Sequence, residues 1–343
     1  MNMNIKSKTY CLASLVLVAG SMVASGCNTA GGNADGAKQG KAFDGDYPYR
    51  VVTTCGMVTD IVGVVGGDKA DVVGLLGEGV DPHSYRATRG DISELLKADI
   101  VFYSGLMLEG QMGDEFIKIS RRGTLVYPVT EEIDKKFLRE PPEFLGHWDP
   151  HVWMDVMAWS ECVKVVAKAL SEFDPPNKDE YKENSEKYTA ELKKLDVYVR
   201  EVINSIPTDR KVLITAHDAF GYFSRAYDIE VLSVLGLSTE TGAGVAKIND
   251  IVSFIVDQKI QAIFVETSVN PKNIEALIVG AADRGWTVKI GGHLFSDAMG
   301  KPRTYEGTYI GMIDHNATTI ARALGGKAPK RGLNGKLAAA RHE

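Results

Sequence analysis

Cysteine is scarce: four occur in 343 residues, and two of them, Cys11 and Cys27, fall within the first 27 positions. The remaining pair, Cys55 and Cys162, is too small a set for a disulfide framework, and both are read as buried free thiols, with a disulfide between them in an oxidising compartment the alternative. Positive charge is not in excess. Lys and Arg number 39 against 45 Asp and Glu, for a formal charge of −6, which argues against a nucleic-acid binder. No GxxxxGK[ST] stretch occurs, and the glycines of GVVGGD and TGAGVAK do not make a phosphate loop, so ATP hydrolysis is not this chain's task. No HExxH pair occurs either. Long apolar runs are missing after residue 24, which excludes a multi-span membrane protein. What remains is ordinary globular composition, 44% hydrophobic and 24% charged, in a length suited to about two domains.

The one apolar run lies at the N-terminus. Lys6 and Lys8 precede Cys11–Ala24, 14 residues long, which is short for a bilayer span and suited to a signal-peptide core. Ala24, Ser25 and Gly26 then lead into Cys27 in a pattern that resembles a bacterial lipobox, with Ala24 where Leu is usual. Residues 1–26 are therefore expected to be a lipoprotein signal peptide and Cys27 the lipidated first residue of the mature chain. The alternative is a plain secretory signal followed by a chance cysteine. Residues 27–47, rich in Gly, Ala, Asn and Asp, read as the lipidated cysteine and a flexible tether.

From residue 50 short β-rich runs alternate with helical stretches, the pattern of an α/β fold with parallel pairing. Strands are expected at Arg50–Thr54, Asp71–Leu75, Asp99–Tyr103 and Leu125–Val129, and in a second set at Val212–Ala216, Val231–Leu235, Ala262–Glu266 and Thr287–Ile290. Between the sets, residues 179–206 contain neither Pro nor Gly, and their apolar residues recur mostly three, four or seven apart. That periodicity predicts one amphipathic helix about 42 Å long at 1.5 Å per residue, a stiff spine between two lobes; two shorter helices with a break are the alternative. The expected division is an N-terminal metal-binding lobe at 48–178, the linking helix at 179–206, a C-terminal metal-binding lobe at 207–330 and a mobile tail at 331–343.

Open α/β sheets bind ligands beyond the carboxyl ends of their strands, and three of the seven histidines stand in notable places. Asp81-Pro82-His83 and Asp149-Pro150-His151 repeat one tripeptide, in which proline restricts the backbone at its own position and at the residue before it. His217 follows the predicted strand 212–216, and Asp297 follows the last predicted strand. Two histidines from the first lobe, with one histidine and one aspartate from the second, would make a four-donor cage. Three imidazoles and a carboxylate suit Zn, Mn or Fe(II) rather than Cu(I) or Ca. Glu266, at a strand end, is the candidate for an acid behind the ligands. His147, His293, His315 and His342 read as loop, surface, terminal-helix and tail residues, and Trp148 and Trp153 as packing around the site.

Six segments in order, GVDPHSYRAT, GLMLEGQMGD around Glu109, DPHVWMDV, LITAHDAFGYFSRAY, IFVETSVNPK and LFSDAMG, resemble the cluster A-I substrate-binding proteins of ABC transporters for transition metals, the TroA-like group. The resemblance implies two (βα)4-type lobes joined by one long helix, with His83, His151, His217 and Asp297 as ligands. It implies an extracytoplasmic receptor, lipid-anchored at the outer face of the cytoplasmic membrane or in the periplasm. Such a receptor is a monomer that captures zinc or manganese, with iron a further option, and delivers it to a permease served by a separate ATPase subunit. No catalysis is expected. His217 stands where many manganese-specific relatives carry Glu. The long His-rich loop of dedicated zinc importers is absent from Glu131–His147, and His293 stands where the group often has Glu. Two other readings remain open at this stage. One is a secreted zinc-dependent hydrolase with Glu266 as base; the other is a metal-stabilised surface adhesin of the same fold.

Overall fold

The computed structural model describes residues 42–338. Residues 1–26, Cys27 with most of the expected tether, and His342 lie outside that range. Among the described residues no helix is long and apolar enough to cross a membrane.

The N-terminal lobe is one four-stranded parallel sheet. Strand β1 (Tyr49–Thr53), helix α1 (Gly56–Gly66), β2 (Ala70–Gly74), α2 (Arg89–Leu95), β3 (Ile100–Tyr103), α3 (Gly113–Arg121) and β4 (Leu125–Pro128) give the order β2-β1-β3-β4. Local chemistry starts the helices where the sequence allows. Thr88 and Asp91 form a reciprocal capping box on α2, and Asp155 accepts from Met157 N and Ala158 N to open α4 (Val156–Phe173). Cys55 and Cys162 are both buried and unpaired, and burial pushes the Cys55 thiol up to about 12.

Helix α5 (Lys178–Asn204) is the predicted spine, unbroken over 27 residues. Its buried stripe of Tyr181, Tyr188, Leu192, Leu195, Val199, Val202 and Ile203 follows the helical period. The first half is tied to the N-terminal lobe, through Tyr188 Oη to Asp60 (2.6 Å) and Asn184 Nδ2 to Val65 O (3.1 Å). The second half is tied to the C-terminal lobe, through Tyr198 to Thr318 (2.7 Å) and Tyr227 Oη to Asp196 (3.2 Å). Leu195 is fully buried at the middle of this stripe. Replacing it with Ala is expected to cost about 2–5 kcal/mol of unfolding free energy, read from urea denaturation of the metal-free protein.

The C-terminal lobe comprises β5 (Val212–Thr215), α6 (Gly221–Tyr227), β6 (Glu230–Ser233), α7 (Val245–Asp257), β7 (Ala262–Glu266), α8 (Lys272–Asp283), β8 (Lys289–Leu294) and α9 (Tyr309–Ala323). Its strands form two parallel pairs, β5 with β6 and β7 with β8. Strand β8 runs four residues beyond the predicted end at Ile290, straight through Gly291 and Gly292. A side chain at Gly291 would meet Phe264 and Ala323, and one at Gly292, where φ is +156°, would meet Thr319. The two glycines thus let α9 lie close on the strand, and the register shift at Ile263/Phe264 falls opposite them.

Of the tail expected at 331–343, residues 331–338 are among those described. Residues 331–338 dock on α9 because Asp314, buried there, needs donors. Leu333 N donates to both of its carboxylate oxygens at 3.0 Å, and Leu337 is buried. At the other end the expected tether is already anchored by Phe43, whose N–H donates to Phe173 O (2.7 Å).

Candidate metal centre

Each candidate donor lies past a strand's carboxyl end or in a loop leading into a helix: His83 in the segment after β2, His151 just before α4, His217 after β5 and Asp297 after β8. One donor atom from each lies within 4.8 Å of the other three. The three imidazole rings stand in a triangle with centroids 5.3, 5.3 and 6.0 Å apart. Asp297 faces them from the fourth side, its oxygens 3.1 Å from His217 Nε2, 3.3 Å from His151 Nε2 and 3.6 Å from His83 Nε2. All four residues are buried, with 5% exposure at most.

Both DPH tripeptides fold as Asx turns. Asp81 Oδ1 accepts from His83 N (2.9 Å), and Asp149 Oδ1 accepts from His151 N (3.0 Å). The stiffness expected from proline is thereby completed by the aspartate. The turns then diverge. Asp149 Oδ1 also takes the His151 ring at Nδ1 (2.8 Å), whereas Asp81 turns away to Ser84 and, across the cleft, to Thr239 (2.5 Å). Glu266 stands where an acid was expected: Oε1 accepts from Ala216 N (2.7 Å) and His217 N (2.9 Å), and Oε2 meets His217 Nδ1. Two imidazoles are thus backed by carboxylates, which fixes their tautomers with Nε2 directed at the centre.

Burial alone would strip charge from these groups, and it does so for His83, whose pKa falls to about 4. For His151 burial is outweighed by the hydrogen bond its ring donates to Asp149 and by Asp297, and the pKa rises to about 9. For His217 burial is outweighed by the charges of Asp297 and Glu266, and the pKa lies well above the usual imidazole range. Burial opposes ionisation of Asp297, but the His217 and His151 cations win and hold it well below the usual carboxylate range. Both ring nitrogens of His217, Glu266 Oε2 and both Asp297 oxygens are buried without a well-formed hydrogen bond. Buried polar atoms normally find partners. Here the unsatisfied atoms cluster around one point, and three imidazoles with one carboxylate can satisfy a divalent transition metal there.

With the geometry in view, comparison decides the family. The profile described as ZnuA, zinc-uptake complex component A, periplasmic, matches residues 51–323. The chain belongs to this family. It is similar to the zinc-binding protein TroA of Treponema pallidum, 45% identical over 302 residues that cover 88% of this chain and 94% of the relative. It is also similar to the manganese-binding lipoprotein MntA of Bacillus subtilis, 40% identical over 279 residues covering 81% and 90%. The solved structure of the periplasmic zinc-binding TroA from T. pallidum superposes with a TM-score of 0.77 at 46% identity, covering 80% of this chain and 99% of that one. The resemblance carried by the six motifs is borne out, as is the family fold with its long central helix.

The four donors and Glu266 converge, and among the described residues His147, His293 and His315 contribute no donor atom to the group. His147 and His293 are exposed, and His315 on α9 bonds the His293 carbonyl (2.9 Å) and packs against the Phe295 ring. Trp153 packs edge-on against His151 at 5.3 Å and donates Nε1–H to Ser296 O (2.9 Å), beside Asp297. Residue reading missed Arg139, which donates to Asp149 Oδ2 (2.8 Å), and Tyr222, whose hydroxyl donates to Asp149 O (2.9 Å), and gave Asp149 no role beyond its tripeptide. The recurrence of Asp two places before His was the available signal for Asp149; nothing local pointed to the other two.

Proposed function

We propose that this protein captures a divalent transition metal, zinc or manganese, between its lobes, using His83, His151, His217 and Asp297, and hands it to an ABC permease driven by a separate ATPase. The carrying observation is the approach of the four donor atoms, two from each lobe, to within 4.8 Å of one another in a buried pocket. The names of the relatives, zinc-binding TroA and manganese-binding MntA, support both metals. Three nitrogen donors favour zinc in intrinsic affinity, and supply decides between them in the cell. The ion is cargo, not a reagent, and we assign the chain no catalysis. In this reading Cys27 carries lipid, the tether holds the body at the outer face of the cytoplasmic membrane, and the receptor works as a monomer.

Hydrogen bonds and an unbroken apolar core join the lobes. Tyr309 Oη donates to Trp153 O (2.7 Å), and one buried cluster runs from Tyr49 and Trp159 to Phe223 and Tyr309. Release should therefore proceed by small tilts and local loop movement rather than a wide swing. The test is elemental analysis of protein purified without added metal, followed by competition titrations with Zn and Mn. A single tight site per chain is expected. Saturation at a thousand times Kd stabilises the folded state by about 4 kcal/mol. In a body of this size the melting temperature should then rise by roughly 8 °C. Absence of both binding and stabilisation would refute the reading.

A further inference from the structure

We propose that Arg139 is a positioning residue of the metal site, acting on His151 through Asp149, and that Gly221 is glycine in order to admit it. The inference rests on the metal-binding reading above. Asp149 holds His151 at both its N–H and its ring, and its other oxygen, Oδ2, receives Arg139 Nη1 at 2.8 Å. The Asp149 side chain is wholly buried and that of Arg139 is 26% exposed, so the pair sits at the rim of the pocket. The Tyr222 hydroxyl, from the C-terminal lobe, clamps the same unit: it accepts from Arg139 N (3.0 Å) and donates to Asp149 O (2.9 Å).

Gly221 opens α6, four residues after His217. Its backbone conformation is one that any residue adopts, so conformational freedom does not explain the glycine. Space does: a Cβ there would lie 2.5 Å from the Arg139 Cζ. The guanidinium therefore passes over the start of the helix that follows His217, and one strut links the His151 loop to the His217 loop.

Charge gives the strut its second task. Asp297 and the two acids bonded behind its histidine neighbours, Asp149 and Glu266, make three carboxylates, with Asp81 near His83 and Asp218 near Asp149 and Arg139. Among the described residues Glu266 is bonded only to two backbone N–H groups and its histidine, with no guanidinium or ammonium on it. Arg139 is the guanidinium paired with one of these three, Asp149. Without Arg139 this set carries one more uncompensated negative charge, and Asp149 loses the Nη1 donor that aims it. The contact is one Nη1–Oδ2 bond from a planar, permanently charged group, which Lys reproduces only as a point charge.

Competition titrations with Zn and Mn on the full protein test this. Arg139→Met should raise Kd about 10- to 100-fold, the range for groups that orient a metal ligand. Arg139→Lys should recover part of that loss. Gly221→Ala should weaken binding comparably, because the methyl pushes the guanidinium off Asp149, and should add less than a further twofold in the Arg139→Met background. In an Asp149→Asn background Arg139→Met should change Kd less than twofold, whereas a role in loop packing alone would persist there. Wild-type protein that holds metal while Arg139→Met stays within twofold of it, or an undiminished Arg139→Met effect on Asp149→Asn, would overturn the role of Arg139. Wild-type protein that holds no metal would overturn the site itself, and with it this inference. Should Gly221→Ala misfold, the Arg139 and Asp149 variants decide alone.

Discussion

Replacing His217 with Ala is expected to abolish high-affinity metal binding while the fold persists. Groups that merely orient a metal ligand are worth about 10- to 100-fold in affinity, so loss of the ligand itself should cost on the order of a thousandfold. The position is unforgiving. His217 is fully buried, its Nε2 lies 3.1 Å from Asp297, and its other nitrogen is held by Glu266. Water entering the truncated site cannot restore an imidazole's basicity or aim. His147→Ala and His293→Ala, both at exposed positions, are the controls and should stay within about threefold of wild type. Far-ultraviolet circular dichroism on the same samples checks folding. Wild-type affinity in folded His217→Ala protein would remove the residue from the ligand set.

The second large effect is pH dependence. In the empty site at pH 7, His151 and His217 are protonated, since both pKa values are raised, and Asp297 is ionised. His83, lowered to about 4, is already neutral. A metal needs neutral imidazoles, so loading at neutral pH must expel close to two protons. The association constant should then climb by about two powers of ten per pH unit between roughly pH 5 and 8, flattening as pH approaches 9 and His151 loses its proton without help. Calorimetric titration in buffers of different ionisation enthalpy counts the protons directly. Release of fewer than one proton per metal would contradict the charge states assigned here.

Stability moves the opposite way in the empty protein. A histidine whose folded pKa exceeds its unfolded value near 6.5 stabilises the fold fully below 6.5 and loses that contribution as pH rises through the folded value, about 9 for His151. The empty protein should therefore weaken on the alkaline side while metal binding strengthens there. The difference in melting temperature between loaded and empty protein should widen from pH 6 to pH 9, which scanning calorimetry at fixed metal excess will show.

Much of this was legible from residues. The alternation of β-rich and helical runs implied two α/β halves, because hydrophobic period and turn residues act locally. The 28-residue stretch without Pro or Gly implied the spine, since nothing in it could break a helix. The strand after residue 290 was not legible. Two glycines read locally as a stop, and only α9 packing against them makes them part of β8. Residues 331–338 show the same limit: nothing in RGLNGKLA announces that its backbone meets a buried Asp314.

The two DPH tripeptides show where local determination ends. Identical residues build the same Asx turn twice, because that turn needs only the aspartate's own oxygen and a backbone N–H two places on. Yet one aspartate supports an imidazole and an arginine, and the other crosses the cleft to Thr239. Composition, period and turn chemistry on their own determined the α/β class, the spine and which side chains had the chemistry to hold a metal. That four of them meet, that carboxylates stand behind two and that a guanidinium neutralises one of those acids was decided by tertiary structure. Apart from Asp149 and His151, two positions apart, such contacts join residues 10 to 214 positions apart, and packing, not local conformational preference, sets distances across such spans.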